Sequence, residues 1–409
     1  MTFQEKLEQY AELTVKVGIN VQEGQILLVS ATTDTLDFTR LVVKKAYEAG
    51  AKRVQVNYTD PVQTRMHFEL APDEAFREYP EWSVAQRDEV IETGGAFLWI
   101  DAEDPDLLTG ISPKRLSDAQ KAAGNALERY RSAIVSDKVA WSIVAVPSPE
   151  WASKVFTGSS DEKAVEKLWE AIFKIVRIGE GDAVAKWKDH IATLETKAAA
   201  LNDKRYKKLH YRAPGTDLTV ELPDKHIWTT GAAKTPAGIP FIANMPTEEV
   251  YTVPLKHGVN GHVTNTKPLV YQGNEIDGFT LTFDGGKIIK AEARKGQELL
   301  DEMIVSDEGA AYLGEVALVP HRSPISDSGI IFYNTLFDEN ASNHLAIGDS
   351  YPTCVEGARG LERSELQGIG LNTSIVHEDF MIGSAEMDID GILADGTAEP
   401  IFRSGSWAF

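Results

Sequence analysis

The chain has 409 residues, of which 43% are hydrophobic and 25% are charged, as in ordinary soluble globular proteins with sizeable cores. The formal net charge of -21 argues against nucleic acid or an anionic membrane as a partner, because both would repel the protein. A single cysteine excludes an internal disulfide framework and favours a reducing, cytoplasmic location.

The first half of the chain alternates between predicted helices and short apolar strands. The helices are predicted at residues 3–17, 34–49, 80–92, 113–132, 160–177 and 182–201, and the strands at 25–30, 53–58, 96–100 and 141–146. This rhythm predicts a parallel sheet with right-handed crossovers, so we expect residues 1–190 to form an α/β accessory domain. No glycine-rich phosphate loop follows the first strand, which favours a scaffold over a nucleotide site.

No stretch of the sequence indicates a membrane segment or a targeting signal. Apolar runs all stay below the ~18 residues that span a bilayer. Residues 1–18 carry glutamates at helical spacing, which is not the pattern of a signal peptide.

The pattern changes near residue 204 to short alternating strands separated by turn residues. Strands are predicted at 209–212, 217–221, 250–253, 261–265, 279–283, 329–334 and 385–389, with one helix at 296–305. We therefore expect residues 191–409 to form a mixed α+β domain that contains every candidate site residue.

The first candidate site residues are acids near predicted strands. Glu248 and Glu249 precede the strand 250–253, and because neighbouring strand residues face opposite ways, only one of the pair is expected to enter a site. Glu315 opens the apolar run 315–319. A carboxylate buried there requires a partner, a proton or a metal ion, whereas one at an exposed strand end requires none.

Glu339 and His344 lie five positions apart in one polar segment. On a regular helix they would be about 140° out of phase, whereas Asn340 and His344 would share a face. Glu339 and His344 can therefore converge only if the helix is short or distorted. Otherwise His344 is an interior histidine with ordinary hydrogen bonds.

His377 and Asp379 form the closest pair of candidate ligands. They lie in the β-branched and apolar stretch 373–382, and in a strand both would point to one face with Glu378 on the other. A polar strand face turned to solvent is the alternative reading of so short a motif.

Carboxylates and imidazoles are the ligands of hard and borderline divalent metals, and a set with more acids than histidines can hold two bridged ions. We therefore predict a dinuclear metallohydrolase. Its nucleophile would be water, so the chain need not supply a serine or cysteine nucleophile.

Four segments around these residues resemble the thermophilic aminopeptidase family, peptidase family M29, which includes aminopeptidases T, S and PepS. The segments are residues 244–252, 314–319, 334–348 and 374–383, and the resemblance covers essentially the whole chain in motif order and spacing.

The resemblance implies a metal-dependent aminopeptidase that uses two divalent ions (Zn, Co, Mn or Mg), with Glu315 as the bridging carboxylate. The implied metal-centre residues are Glu249, Glu315, Glu339, His344, His377 and Asp379. Tyr351 falls on a tyrosine at the metal centre, in contact with metal or substrate, and Glu339 is either a ligand or an acid–base group. The resemblance also implies a homodimer that encloses its active site and accepts short peptides.

Two other functions remain open from the residues alone. A dinuclear hydrolase of phosphate esters or amides would need basic residues near the ions, for which Arg322 and Arg359 are the candidates. A non-enzymatic protein would use the same acids to hold one structural cation.

Overall fold

The computed structural model describes all 409 residues, which divide into two compact units. The first unit comprises Met1–Ile111, Asn125–Thr193 and Gly231–Thr247, and the second comprises Ser112–Gly124, Leu194–Thr230 and Glu248–Phe409. None of the helices combines the length and the apolar character that a bilayer span needs.

Helices and strands alternate through the first half, and strands predominate in the second. The α-helices are α1 (Phe3–Leu13), α2 (Leu36–Glu48), α3 (Pro61–Leu70), α4 (Glu81–Glu92), α5 (Pro113–Ala126), α6 (Glu128–Val135), α7 (Pro149–Val155), α8 (Asp161–Ile175), α9 (Ala183–Lys204), α10 (Gln297–Ile304), α11 (Thr335–Asp338) and α12 (Arg363–Gly368). The strands are β1 (Ile26–Thr32), β2 (Arg53–Thr59), β3 (Ala96–Asp101), β4 (Ala140–Ala145), β5 (Lys208–Ala213), β6 (Thr216–Glu221), β7 (Thr229–Thr230), β8 (Ala232–Lys234), β9 (Pro240–Ile242), β10 (Asn244–Met245), β11 (Val250–Thr252), β12 (Val259–Thr264), β13 (Leu269–Tyr271), β14 (Asn274–Ile276), β15 (Thr280–Asp284), β16 (Lys287–Glu292), β17 (Leu313–Leu318), β18 (His344–Gly348), β19 (His377–Met381), β20 (Asp388–Ile392), β21 (Ala398–Arg403) and β22 (Ser406–Trp407).

A five-stranded parallel sheet forms the centre of the first unit, in the order β10-β4-β3-β1-β2. Its inner strands are continuous apolar runs, and Leu27, Val29 and Leu98 are fully buried. Such runs are expected where helices cover both faces of a parallel sheet. The predicted α/β fold with a parallel sheet is confirmed.

One predicted helix of the first half is divided in two. The sequence predicts a single helix at 113–132, whereas α5 ends at Ala126 and α6 begins at Glu128. Leu127 breaks the helix, because its backbone (φ -100°, ψ 18°) leaves the helical region. Gly124 and Asn125, which are weak helix formers, precede the break.

Antiparallel sheets dominate the second unit, which confirms the mixed α+β prediction. One sheet has eight strands in the order β16-β15-β12-β6-β5-β20-β21-β22, and the other has five in the order β19-β18-β17-β11-β7. The five-stranded sheet, called the site sheet below, has its middle strands completely buried, since every residue of β17 and β18 is shielded from solvent.

Two predicted strands of the second half are wrong in place or in kind. Residues 329–334 form a loop, because Gly329 and Tyr333 adopt left-handed backbone conformations (φ 67° and 52°) that a strand cannot contain. The strand predicted at 385–389 begins only at Asp388.

The segment that carries Glu339 and His344 changes structure within a few residues. Helix α11 has only four residues, a 3-10 turn covers Glu339–Ala341, and β18 begins at His344. The short-helix condition for convergence of Glu339 and His344 is therefore met, with His344 on a strand rather than on the helix.

Candidate metal centre

Four neighbouring strands of the site sheet carry the acid and histidine side chains. Glu249 immediately precedes β11, and Glu315 lies within β17. His344 is the first residue of β18, and β19 supplies both His377 and Asp379. These strands are adjacent in the order β19-β18-β17-β11, so residues far apart in sequence are brought together.

The strand register places two carboxylates on one face. Glu315 is paired with Ala346, and Ala346 is paired with Asp379 on the other side. Directly paired residues of antiparallel strands project to the same face. The methyl group of Ala346 is the only side chain between the two carboxylates in this row, which leaves room for them to converge.

Ligand atoms gather in two groups that share Glu315. Glu249, Glu315 and His344 form one group, and Glu315, His377 and Asp379 form the other. In each group the donor atoms lie within 4.8 Å of one another. Glu378, between the two ligands of β19, belongs to neither group, as the alternation of the strand predicts.

The two oxygens of Glu315 face different histidines. Oε1 lies 3.5 Å from Nε2 of His344, and Oε2 lies 3.6 Å from Nε2 of His377. The two oxygens of Asp379 also face different histidines. Oδ1 lies 4.0 Å from Nε2 of His344, and Oδ2 lies 3.7 Å from Nε2 of His377. Nε2 of His344 also lies 3.2 Å from Oε2 of Glu249.

These separations suit metal coordination. Donor atoms about 2.1 Å from a tetrahedral ion lie roughly 3.4 Å from one another. The measured distances of 3.2 to 4.0 Å between the nitrogen and oxygen atoms bracket that value.

Backbone carbonyl groups orient both histidines. Nδ1 of His344 lies 3.0 Å from the carbonyl oxygen of Glu339 and 3.1 Å from that of Ser342. Nδ1 of His377 lies 2.8 Å from the carbonyl oxygen of Asp349. A carbonyl oxygen only accepts, so each Nδ1 carries the proton and each Nε2 turns a lone pair towards the carboxylates, as in metal-binding histidines.

Two buried polar atoms at the centre have no hydrogen-bond partner, namely Nε2 of His344 and Oδ1 of Asp379. His344 is 1% exposed, so water does not supply the missing contact from bulk solvent. Lone pairs that face one another in a buried space require a cation between them, either a proton or a metal ion. The residues present therefore fit a metal site.

The electrostatics of the cluster also call for positive charge. Burial, with Asp379 and Glu249 nearby, raises the pKa of Glu315 to about 7. Burial and the same neighbours raise the pKa of Glu339 well above its ordinary value. Glu339 is outside both ligand groups, although it interacts with His344 and with the acids of both groups. If all four carboxylates of the cluster were ionised, they would carry a charge of -4, which two divalent ions would balance; the four are Glu249, Glu315, Glu339 and Asp379.

Opposing effects act on His344. Burial of the ring disfavours its charged form, but the facing carboxylates of Glu249 and Glu315 outweigh burial and raise the pKa of His344. Without a metal ion, a proton on Nε2 therefore takes the place between the ring and the carboxylates.

Tyr351 lies against this cluster. Its ring meets the ring of His377 edge-on, with centroids 4.9 Å apart at 75°. Burial of its hydroxyl and the carboxylates of Glu315, Asp379, Glu249 and Glu339 raise the pKa of Tyr351, so the phenol keeps its proton. All seven residues singled out from the sequence thus lie together.

The sequence did not reveal the side chains and carbonyl groups that orient the ligands. The amide of Asn340 contacts Glu339, and the backbone of Asp349 orients His377. Backbone carbonyl groups carry no side-chain signature, and the sequence pattern around Asn340 indicates only its phase on a helix.

Comparison with known proteins shows the family to which the chain is similar. The model of the family described as thermophilic metalloprotease (M29) matches residues 3–407. The chain is 54% identical to aminopeptidase AmpS of Bacillus subtilis (strain 168) over 100% of both chains. It is 42% identical to aminopeptidase T of Thermus aquaticus, over 99% of each chain. Its structure resembles wild-type AmpT from Thermus thermophilus with a TM-score of 0.91, at 40% identity and covering 100% of both chains.

Proposed function

The chain belongs to the thermophilic metalloprotease (M29) family, and on this premise we propose that it removes N-terminal amino acids from short peptides with water activated by two divalent ions. Its full-length relatives at 42% to 54% identity are named aminopeptidases. The chain is accordingly a metallo-aminopeptidase, a hydrolase of peptide bonds. That the enzyme uses two ions and that its substrates are short peptides are our proposals.

One observation carries the two-ion proposal: the oxygens of Glu315 point to different histidines, at 3.5 and 3.6 Å. A carboxylate that binds a single ion directs either one or both of its oxygens towards that ion. Glu315 instead has the orientation of a bridge, and it is the residue that both ligand groups share.

The two groups define how the ions would be held. Glu249, Glu315 and His344 would hold one ion, and Glu315, His377 and Asp379 the other. Two such ions supply a water of lowered pKa and polarise the carbonyl of the scissile bond.

Glu339 is placed to move the proton. It is buried, it neighbours the acids of both groups, and a carboxylate at such a position can accept a proton and return it. We assign to it the transfer of a proton from water to the departing amine of the peptide.

Tyr351 is the candidate hydrogen-bond donor of this centre. A tyrosine hydroxyl, with an ordinary pKa of about 10, is protonated at neutral pH and can donate. A donor directed at the oxygen that gains charge during hydrolysis contributes about 3 kcal/mol to rate enhancement when well placed. We assign Tyr351 this role towards the substrate.

The alternative of a phosphate ester as substrate is weakened by the position of the basic residues. Arg322 is paired with Asp327 at 2.6 Å, and its side chain is 75% exposed. Arg359 is also exposed. Neither provides a buried cation beside the acids.

A paired assay tests the proposed function. Metal-loaded protein should release the chromophore from aminoacyl anilides and leave aryl phosphates intact, and a chelator should stop the reaction until divalent ions are restored. Turnover of the phosphate but not of the anilide would overturn the substrate assignment. Anilide hydrolysis that survives exhaustive chelation would overturn the metal requirement.

We further propose that the protein works as a cytoplasmic homodimer whose active sites are enclosed, which would restrict substrates to short peptides. The single cysteine agrees with a reducing compartment. Helix α3 supports an interface: none of its residues is buried, and Val62, Met66 and Leu70 form an apolar stripe on one side of it.

A further inference from the structure

Asn340 is a fully buried side chain that no step assigned so far uses. It lies in the 3-10 turn Glu339–Ala341, beside the residue to which we assign proton transfer. Its amide makes three hydrogen bonds, all to groups in the second unit, and two of them concern residues at or next to the metal centre.

The orientation of this amide is determined by its partners. Oδ1 accepts a 2.7 Å hydrogen bond from the backbone N–H of Glu248, a group that can only donate. Nδ2 must therefore point the other way, where it donates to the carbonyl of Leu336 at 3.0 Å and to Oε1 of Glu339 at 3.1 Å. A flipped amide would lose all three bonds.

The three hydrogen bonds connect two chain segments beside the metal centre, the turn 339–341 and the segment at Glu248. The turn 339–341 carries Glu339, while Glu248 is bonded through the chain to Glu249, which precedes β11. Glu248 and Asn340 are 92 positions apart in sequence, and the Asn340 amide joins the two segments. Its position thus sets the Glu339 carboxylate relative to the Glu249 ligand.

We propose that Asn340 is a positioning residue for the hydrolysis, which fixes the Glu339 carboxylate against the strand that delivers Glu249. The inference rests on the proposed function, because it gives Glu339 a role in the reaction. Removing a group that orients a metal ligand or reacting group typically costs about 10–100-fold in metal affinity or activity.

Asn265 offers a matched control. It is also buried, its Oδ1 accepts from the N–H of Phe279 at 2.7 Å, and its Nδ2 donates to the carbonyl of Lys267 at 2.7 Å and to a carboxylate oxygen of Asp277 at 3.4 Å. The same amide chemistry therefore occurs at a position outside both ligand groups.

The test compares Asn340→Asp and Asn340→Ala with Asn265→Asp and Asn265→Ala. The Asp variants keep the acceptor for the backbone N–H and replace only the donating nitrogen, so they remain nearly isosteric if the Ala variants fold poorly. For each variant, thermal unfolding, zinc affinity by calorimetric titration, and kcat and KM on an aminoacyl anilide are measured.

We expect the Asn340 variants to lose about 10–100-fold in kcat or in zinc affinity, with KM within about threefold of wild type. The Asn265 variants should lose comparable thermal stability and keep both properties. Equal kcat and zinc affinity in the Asn340 and Asn265 variants would overturn the positioning role. A wild-type protein that binds zinc but cleaves no aminoacyl substrate would instead overturn the proposed function, with zinc affinity still reporting on Asn340.

Discussion

Glu315 is the side chain on which the two-ion account depends, because it belongs to both ligand groups. Glu315→Gln keeps the shape but removes the charge. We expect bound metal to fall from two ions per chain to one or none, and hydrolysis to fall at least about 100-fold, while the circular dichroism stays native. Plasma emission spectroscopy of the dialysed protein measures the ions. A variant that retains two ions and ordinary turnover would contradict the assignment.

Glu339→Gln should give a different result, because Glu339 lies outside both ligand groups. We expect two ions to remain and kcat to fall about 10²–10⁴-fold, as for the loss of a general base. Glu378→Gln is the control, since Glu378 lies on β19 between His377 and Asp379 but belongs to neither group. Loss of an ion in Glu339→Gln would show that Glu339 is a ligand instead.

The raised pKa of Glu315 also predicts how the metal-free protein responds to pH. The group has an ordinary pKa of 4.5 and about 7 when folded, so between these values the folded chain binds more protons than the unfolded chain. The free energy of unfolding must then fall as pH rises through this window. The raised pKa values of His344 and His377 act in the same direction, because the stability that each contributes below pH 6.5 is lost as pH rises from 6.5 through its raised folded pKa.

Urea unfolding of chelated protein at a series of pH values from about 5 to 7.5 measures this loss. We expect wild type to lose more stability across the window than Glu315→Gln, which cannot titrate at that position. Added zinc should restore more stability at the upper end. Equal pH slopes for the two proteins would show that the Glu315 carboxyl does not carry the predicted shift.

Among the strands, β18 determines whether the two carboxylates can meet. Ala346 lies between Glu315 and Asp379 in the register and is fully buried. Ala346→Val would place two further methyl groups in that row. We expect it to abolish binding of the second ion, with a destabilisation of about 1–3 kcal/mol from overpacking.

Ala96→Val is the control for overpacking alone, because Ala96 is equally buried in the parallel sheet of the first unit. Metal titration and thermal unfolding of both variants separate the effects. If Ala346→Val still binds two ions with wild-type affinity, the register does not govern the centre as inferred.

The same strands show how far sequence reasoning reaches. Alternation along β19 correctly placed His377 and Asp379 together, because a period of two needs no tertiary information. The path from Thr335 to His344 could not be predicted, since it passes from a helix through a 3-10 turn to the start of a strand within ten residues. The pairing of Glu315 with Ala346 depends on a register shift in β17 at Gly314, and a glycine can mark such a shift but does not say which residues pair after it.

Over the chain as a whole, the alternation of helices and strands predicted the parallel sheet but not its edge strand β10. β10 has two residues, too few for any periodicity, and it pairs with β4, about a hundred positions earlier in the sequence. The segment Gly231–Thr247 thereby belongs to the first unit although the flanking chain belongs to the second. Contacts at such sequence separation are a property of packing, not of local pattern.

The proposed dimer is testable on the intact protein. Sedimentation velocity should show a dimer of 44.9 kDa chains, and the enzyme should digest dipeptides and tripeptides while leaving folded proteins intact. Leu70→Glu, on the apolar stripe of α3, should shift the equilibrium towards monomer by burying a charge. A wild-type monomer that digests folded proteins would contradict the enclosed dimer.

The most direct test of the two-ion centre is an anomalous-scattering map of crystals grown with zinc, recorded above and below the zinc absorption edge. We predict two peaks per chain about 3.5–4 Å apart, with Glu315 between them, one peak next to Glu249 and His344 and the other next to His377 and Asp379. A single peak, or two peaks that do not share Glu315, would contradict the account.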